Sequence, residues 1–290
     1  MKNTTRSPIA QLSRVVLYVS IFLSITASVD SQELYVFSSP ASNVPAKSLS
    51  FKYGSKWIGG NNMHHSSNAS RHMLESQFGI SKKMMLRAAV SLTDMYSQKK
   101  QQFESFSVLA KYRFFSNDDV HRHFRAAVFL NTVFSKNDLR YDELTVEGDQ
   151  SVLQGGVILT QLINRLAVST TLALTEVVDP ERWQKYGGSR RFGYQGINYN
   201  FSSGYLLLPR KYTSYKQPNL NIYFECIGGF GLDKRFSYTD LAPAVQVILN
   251  SNSKINLGYR FQLVGQVERM ARSGVYFSYE RTFLNAMKHD

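Results

Sequence analysis

Met84-Met85-Leu86-Arg87-Ala88-Ala89-Val90-Ser91-Leu92-Thr93 decides the fold. The even positions are apolar and fall on one side of an extended chain, while Arg87, Ser91 and Thr93 fall on the other. A helix would need apolar residues three and four apart. The period of two recurs on both sides of this stretch. Phe106 to Phe114 alternates, as do Leu49 to Tyr53 and Leu166 to Thr175. Ile197, Tyr199, Phe201, Tyr205 and Leu207 alternate with Asn198, Asn200, Ser202 and Gly204. Ile255 to Leu263 and Val275 to Glu280 repeat the pattern. No sustained helical stretch interrupts it. About twelve strands are predicted, near 47–54, 71–80, 83–95, 103–115, 121–134, 151–162, 165–177, 195–208, 219–228, 239–250, 253–264 and 273–283.

The connections between these strands alternate in length. Ser81-Lys82, 116–120, Ile163-Asn164, 209–218 and Ser251-Asn252 lie at one end, and long loops near 55–70, 135–150 and 178–194 at the other. A soluble sandwich has no reason to sort its loops this way, whereas outer-membrane barrels carry short periplasmic turns and long external loops. The expected fold is therefore all-β, an antiparallel transmembrane β-barrel of about 12 strands. Tyr53, Tyr96, Phe114, Phe134, Tyr205, Tyr259 and Tyr279 near strand ends fit aromatic girdles at the headgroups. Pro243 requires a bulge or strand end, because a closed wall has no free edge to hide a missing N–H. Arg281 falls on the lipid side near the periplasmic end, within reach of headgroups.

Composition agrees. The 290 residues include 34 Lys and Arg against 21 Asp and Glu, a net charge of +13, with 13% aromatic residues. This aromatic content excludes a disordered chain. The single Cys226 excludes a disulfide framework and any Cys-rich metal centre. Lys2, Arg6 and Arg14 precede the apolar run Val15 to Ala27, and Ser31 offers a small residue before Gln32. Residues 1–31 therefore read as a cleaved export signal, too short in their apolar part to span a bilayer. Its removal lowers the net charge from +13 to +11. Export argues against a nucleic-acid partner in spite of the basic chain.

Several hairpins resemble those of the MetA-pathway phenol-degradation, transporter-like family of outer-membrane barrels. Phe78-Gly79-Ile80-Ser81-Lys82-Lys83-Met84-Met85-Leu86 is similar to its strand–Gly–turn–strand. Ala110-Lys111-Tyr112-Arg113-Phe114, followed by Ser116-Asn117-Asp118-Asp119, is similar to its Lys-Tyr-Arg-Phe hairpin and polar turn. Leu241-Ala242-Pro243-Ala244-Val245-Gln246 and Ile255-Asn256-Leu257-Gly258-Tyr259 are similar to its Pro-containing penultimate hairpin. Residues 33–47 resemble the mature start of Bacteroidetes-type members. The resemblance covers most of 32–284 and implies passage of small, often hydrophobic molecules, with no catalytic residues. The chain departs from a usual barrel end, because Leu284 to Asp290 follow the terminal Phe283.

With the apolar side facing lipid, Lys52, Glu75, Arg87, Lys111, Arg113, Arg125, Glu225, Arg260 and Glu280 point into a lumen. Two readings follow: an anion-favouring pore, or a salt-bridge network that fills and stiffens a small barrel. Met63, His64, His65, His72 and Met73 form a candidate copper site, since imidazole and thioether suit Cu(I). Asp94 with His64 or His65 is the best hydrolytic dyad on offer, and no phosphate-binding glycine loop exists. Residues 32–46 either enter the lumen as a plug or line the periplasmic rim; 47–284 form the barrel and 285–290 a tail. The expectation is a monomeric bacterial outer-membrane barrel that passes small solutes, has lipid as its surroundings, needs no cofactor and is not an enzyme. The alternatives are a closed structural or surface-interaction barrel, and a hydrolase of the surface loops.

Overall fold

The computed structural model describes residues 35–58, 69–95, 100–119, 122–137, 141–178, 195–209, 217–234 and 236–287. It contains twelve strands: β1 (Leu49–Ile58), β2 (Ala69–Gly79), β3 (Met84–Thr93), β4 (Gln102–Asp118), β5 (Arg122–Ser135), β6 (Val152–Ile163), β7 (Leu166–Val177), β8 (Gln195–Leu208), β9 (Asn219–Gly231), β10 (Ser237–Leu249), β11 (Ser253–Gln266) and β12 (Ser273–Phe283). Each pairs antiparallel with its chain neighbours, and β1 pairs with β12 from Leu49↔Phe283 to Trp57↔Val275. The sheet therefore closes on itself and has no edge, which satisfies every wall strand without water.

The alternation read from sequence separates two walls. Leu74, Val90, Leu130, Leu172, Phe201 and Leu257 stand exposed outside, with Leu74 at 63%. Glu75, Ser91, Asn131, Thr160, Ser202 and Glu225 are buried inside, the last fully. This distribution inverts that of a water-soluble domain and suits an exterior solvated by hydrocarbon. Among the girdle aromatics, Tyr53, Phe114, Phe134, Tyr259 and Tyr279 are exposed; Tyr96 lies outside the described residues.

Departures from strict alternation have local causes. β1 runs to Ile58 rather than 54, because Ser55 faces outward and Ile58 inward, against the apolar-out rule. Ser55 is nevertheless covered, since its Oγ lies 3.0 Å from His72 Nδ1. A register shift at Ser91/Leu92 lets Glu104 and Ser105 of β4 both turn inward. Pro243 stays within β10. It pairs with Phe224 on one side, while the ladder to β11 passes from Leu241↔Phe261 to Ala244↔Gly258. The missing N–H falls in that interruption.

The hairpins at one end are tight. Asn164 (φ 52°) turns β6 into β7, and Asn250 (φ 51°) with Ser251 (φ 56°) turns β10 into β11. Asn tolerates this left-handed backbone better than most residues. The opposite end carries the wider connection 136–151 between β5 and β6. The sorting is incomplete, because 209–218 is long at the tight end and 232–236 short at the wide end.

Candidate functional site

Among the described residues, two chain segments enter the lumen. The first precedes β1. Gly79 at the end of β2 lets it in, because a Cβ there would lie 2.0 Å from the Pro45 carbonyl oxygen. Lys47 (φ 61°) donates its N–H to the Gly79 carbonyl. Residues 35–42 are then held by wall side chains rather than by strand pairing. Glu225 Oε1 accepts from the N–H groups of Val36 and Phe37, each at 2.9 Å, and its Oε2 accepts from Ser202 Oγ at 3.0 Å. Thr160 Oγ1 accepts from Ala41 N–H at 2.9 Å. Lys111 Nζ donates to the carbonyls of Pro40 (2.8 Å) and Ser42 (2.7 Å), and Arg125 donates to Ser42 Oγ (2.9 Å). Tyr35 and Val36 pack with Leu162, Ala167, Tyr223 and Ala244 in a small apolar cluster.

The second is the stretch 141–150, which folds down from the wide end. Leu144 is fully buried beside Val133, Val152, Phe236 and Tyr238. Its acids meet a basic wall. Glu147 contacts Lys56, Arg71 (3.0 Å) and Arg260 (3.2 Å), Asp149 meets Arg71 (2.7 Å), and Glu143 meets Arg260 (3.2 Å) and Arg269. The wall adds its own acids. Glu104 holds Arg71 through both Nε and Nη2 at 2.7 Å, and Asp240 holds Arg260 and Arg269 at 2.7 Å. Burial works to raise the Glu147 carboxyl, but Lys56, Arg260 and Arg71 outweigh it and hold it well below the usual carboxylate range. Burial opposes the charge on Arg269, and Glu143 with Asp240 overcomes it.

All nine charged residues named from the sequence occupy inward-facing strand positions, with different roles. Arg260 is absorbed by the network above. Glu225, Lys111 and Arg125 hold the N-terminal segment. Glu280 accepts from Ser50 Oγ (2.9 Å) and Lys254 Nζ (3.0 Å). Arg113 donates to the Lys82 carbonyl in the β2–β3 turn, so it sits at the mouth. Lys52 lies 5.9 Å from the centre of the Tyr276 ring, and Arg87 lies 3.6 Å from Glu75.

The proposed copper set does not come together as read. His72 faces outward, with Nδ1 2.7 Å from Tyr53 Oη, whereas Met73 lines a lumenal cavity. Adjacent strand residues point to opposite faces, so these two cannot share one ion. Met63, His64 and His65 lie outside the described residues, and with them the hydrolytic dyad. No group of three or more His, Cys, Asp or Glu able to hold a metal exists among the described residues. Sequence reading passed over Arg71, Glu104, Asp240, Arg269 and the loop acids Glu143, Glu147 and Asp149. Arg71 shares the parity of Glu75 and was readable; Glu104 was not, because the bulge reverses its direction.

Three cavities lie open inside, among the described residues. One of about 230 Å³ lies between Phe37–Ser39 and Leu144–Glu147. A second, about 180 Å³, lies beside it against Lys52, Arg71 and Tyr276. A third, about 340 Å³, opens toward the tight-turn end and is lined by Lys52, Arg125, Lys254 and Glu280. Ser38, Ser39 and Arg87 line all three.

No family model matches this chain, and no curated protein matches it by sequence. Solved structures do share its architecture. An outer membrane channel from Pseudomonas putida superposes with a TM-score of 0.56 at 13% identity, covering 86% of this chain and 100% of the other. The NanC porin superposes at 0.50 with 12% identity, covering 81% and 98%. This is a porin-like outer-membrane barrel fold. At such identity the likeness speaks for the fold, and the apolar outer wall of this chain independently requires a bilayer around it.

Proposed function

We propose that the protein is a monomeric channel of the bacterial outer membrane through which small solutes diffuse. Residues 1–31 serve as export signal, 32–46 as a lumenal insert, 47–284 as the barrel and 285–290 as a tail, with the tight turns in the periplasm. The single observation that carries this reading is that three cavities of the lumen share Ser38, Ser39 and Arg87 in their linings, with the two inserted segments beside them. Because the loop acids neutralise Arg71, Arg260 and Arg269, selection falls to the less committed cations, Arg87 and Lys52.

Planar-bilayer recordings test it. The full mature chain should give small, interrupted currents, and deletion of residues 35–41 should raise the conductance severalfold. One observation favours a second reading, a closed structural barrel: the insert is hydrogen-bonded to strands on opposite sides of the lumen, through Lys111 on β4 and Glu225 on β9. No current from either protein would establish that closed barrel and end the channel reading.

A further inference from the structure

The 230 Å³ cavity is built asymmetrically, and its wall can be read as a row. Arg87 pairs with Leu109, Leu109 with Asn131, and Asn131 with Gln154, so these four stand side by side on β3 to β6. Strand spacing puts Arg87 and Asn131 roughly 10 Å apart at the backbone, with Leu109 between them. Phe129 and Ile158 continue the apolar floor.

The polar ends of this row differ in kind. Arg87 is a cation whose ion pair to Glu75, at 3.6 Å, leaves guanidinium N–H groups over; Glu75 is separately bound by Gln77 Nε2 at 2.6 Å. Asn131 is 2% exposed, and its Oδ1 accepts no hydrogen bond from any described residue. A buried acceptor without a donor is costly, and a ligand hydroxyl would relieve it. The neighbouring amides are already committed: Gln154 donates to Thr175, and Asn198 accepts from Thr175 and donates to the Leu144 carbonyl. The other charged groups lining the cavity are Lys111, which donates to the Pro40 and Ser42 carbonyls, and Arg260, which Glu143, Glu147 and Asp240 hold, so Arg87 with its longer ion pair is the cation best placed for a ligand. A cavity of roughly 150 Å³ accepts a benzene ring, so this one holds a ring with two small polar substituents.

We infer that this cavity is a binding site for a small organic anion with a compact apolar body and a hydroxyl group, its carboxylate on Arg87 and its hydroxyl donating to Asn131 Oδ1. The inference rests on the reading of the lumen as a solute path and names the solute class, but its test needs no flux. Titration calorimetry on the full mature chain in detergent would use 4-hydroxybenzoate, benzoate and the neutral 4-hydroxybenzamide. 4-Hydroxybenzoate should bind best, benzoate about five- to tenfold more weakly and the amide at least about tenfold more weakly. Asn131→Ala should erase the advantage of the hydroxyl while keeping that of the carboxylate. Arg87→Gln should do the reverse, and Arg87→Lys should retain the anion preference and so control for folding. Absence of binding by all three compounds, or preferences that persist unchanged in Asn131→Ala and Arg87→Gln, would overturn the site. Binding without open-channel current retires the channel and keeps the site; current without binding does the opposite.

Discussion

Glu225 is fully buried, yet its carboxylate is surrounded by donors from Val36, Phe37 and Ser202. Hydrogen bonds to a charged group contribute about 1.5–3 kcal/mol each. Glu225→Ala should therefore speed amide exchange at Val36 and Phe37 by at least about tenfold, read by hydrogen-exchange mass spectrometry, with Glu225→Gln in between. If exchange there stays at the wild-type rate, the carboxylate does not hold the segment. Gly79→Ala acts on the other foot of the same segment, because its methyl would collide with the Pro45 carbonyl. It should lower the thermal midpoint of the folded barrel, followed by heat-modifiable mobility on gels. The inward aim of Glu225 was plain from alternation, since Ile222 and Phe224 stand on the opposite face and Asn221 shares its own. Its partner was not, because main-chain N–H groups leave no mark in a sequence.

The stretch 141–150 is anchored by charge as well as by Leu144. The Glu147 carboxyl is depressed below its ordinary value of 4.5, so its contribution to docking is complete above that pH and fades as the pH falls toward the depressed value. The groups facing it are Lys56, Arg71 and Arg260. Docking should hold from pH 8 to pH 5 and loosen only below about 4.5, measured as protease cleavage within 141–150. Glu147→Gln should raise cleavage at neutral pH and remove the part of the acid response that belongs to this residue. Retention of full protection in Glu147→Gln would assign the anchoring to Leu144, Glu143 and Asp149. Sequence reading placed a long loop near 135–150 but gave it no partners, because loop direction has no period to read. The clue it passed over was the acidic run Asp142, Glu143, Glu147 and Asp149 opposite a basic lumen.

At the scale of the whole barrel, the outer wall is the strongest constraint. Leu172 lies in the middle of β7 at 57% exposure, while Arg281 lies near the end of β12, over the Phe283 ring. Leu172→Arg should cost about 2–4 kcal/mol, and Arg281→Leu should change stability by less than about 1 kcal/mol, both measured by denaturant unfolding from lipid vesicles. Equal effects would contradict a bilayer around the barrel. This wall was the most legible part of the molecule, because lipid contact imposes the same rule on every strand. The largest error in a strand end is at β1, where the outward Ser55 and inward Ile58 break that rule. The lumen was harder to read, since a bulge, a loop and a leading segment each bring groups in from outside the pattern.

The leading segment has both its feet at the same mouth. Pro45 and Lys47 lie against Gly79, and Tyr35 lies against Leu162 and Ala167 beside the tight β6–β7 turn. An arch with both feet at one mouth can be withdrawn and replaced without threading a free end through the ring. A label attached at Tyr35 would sit at that mouth and travel with the arch, so its distance to the β6–β7 turn would report withdrawal of the segment.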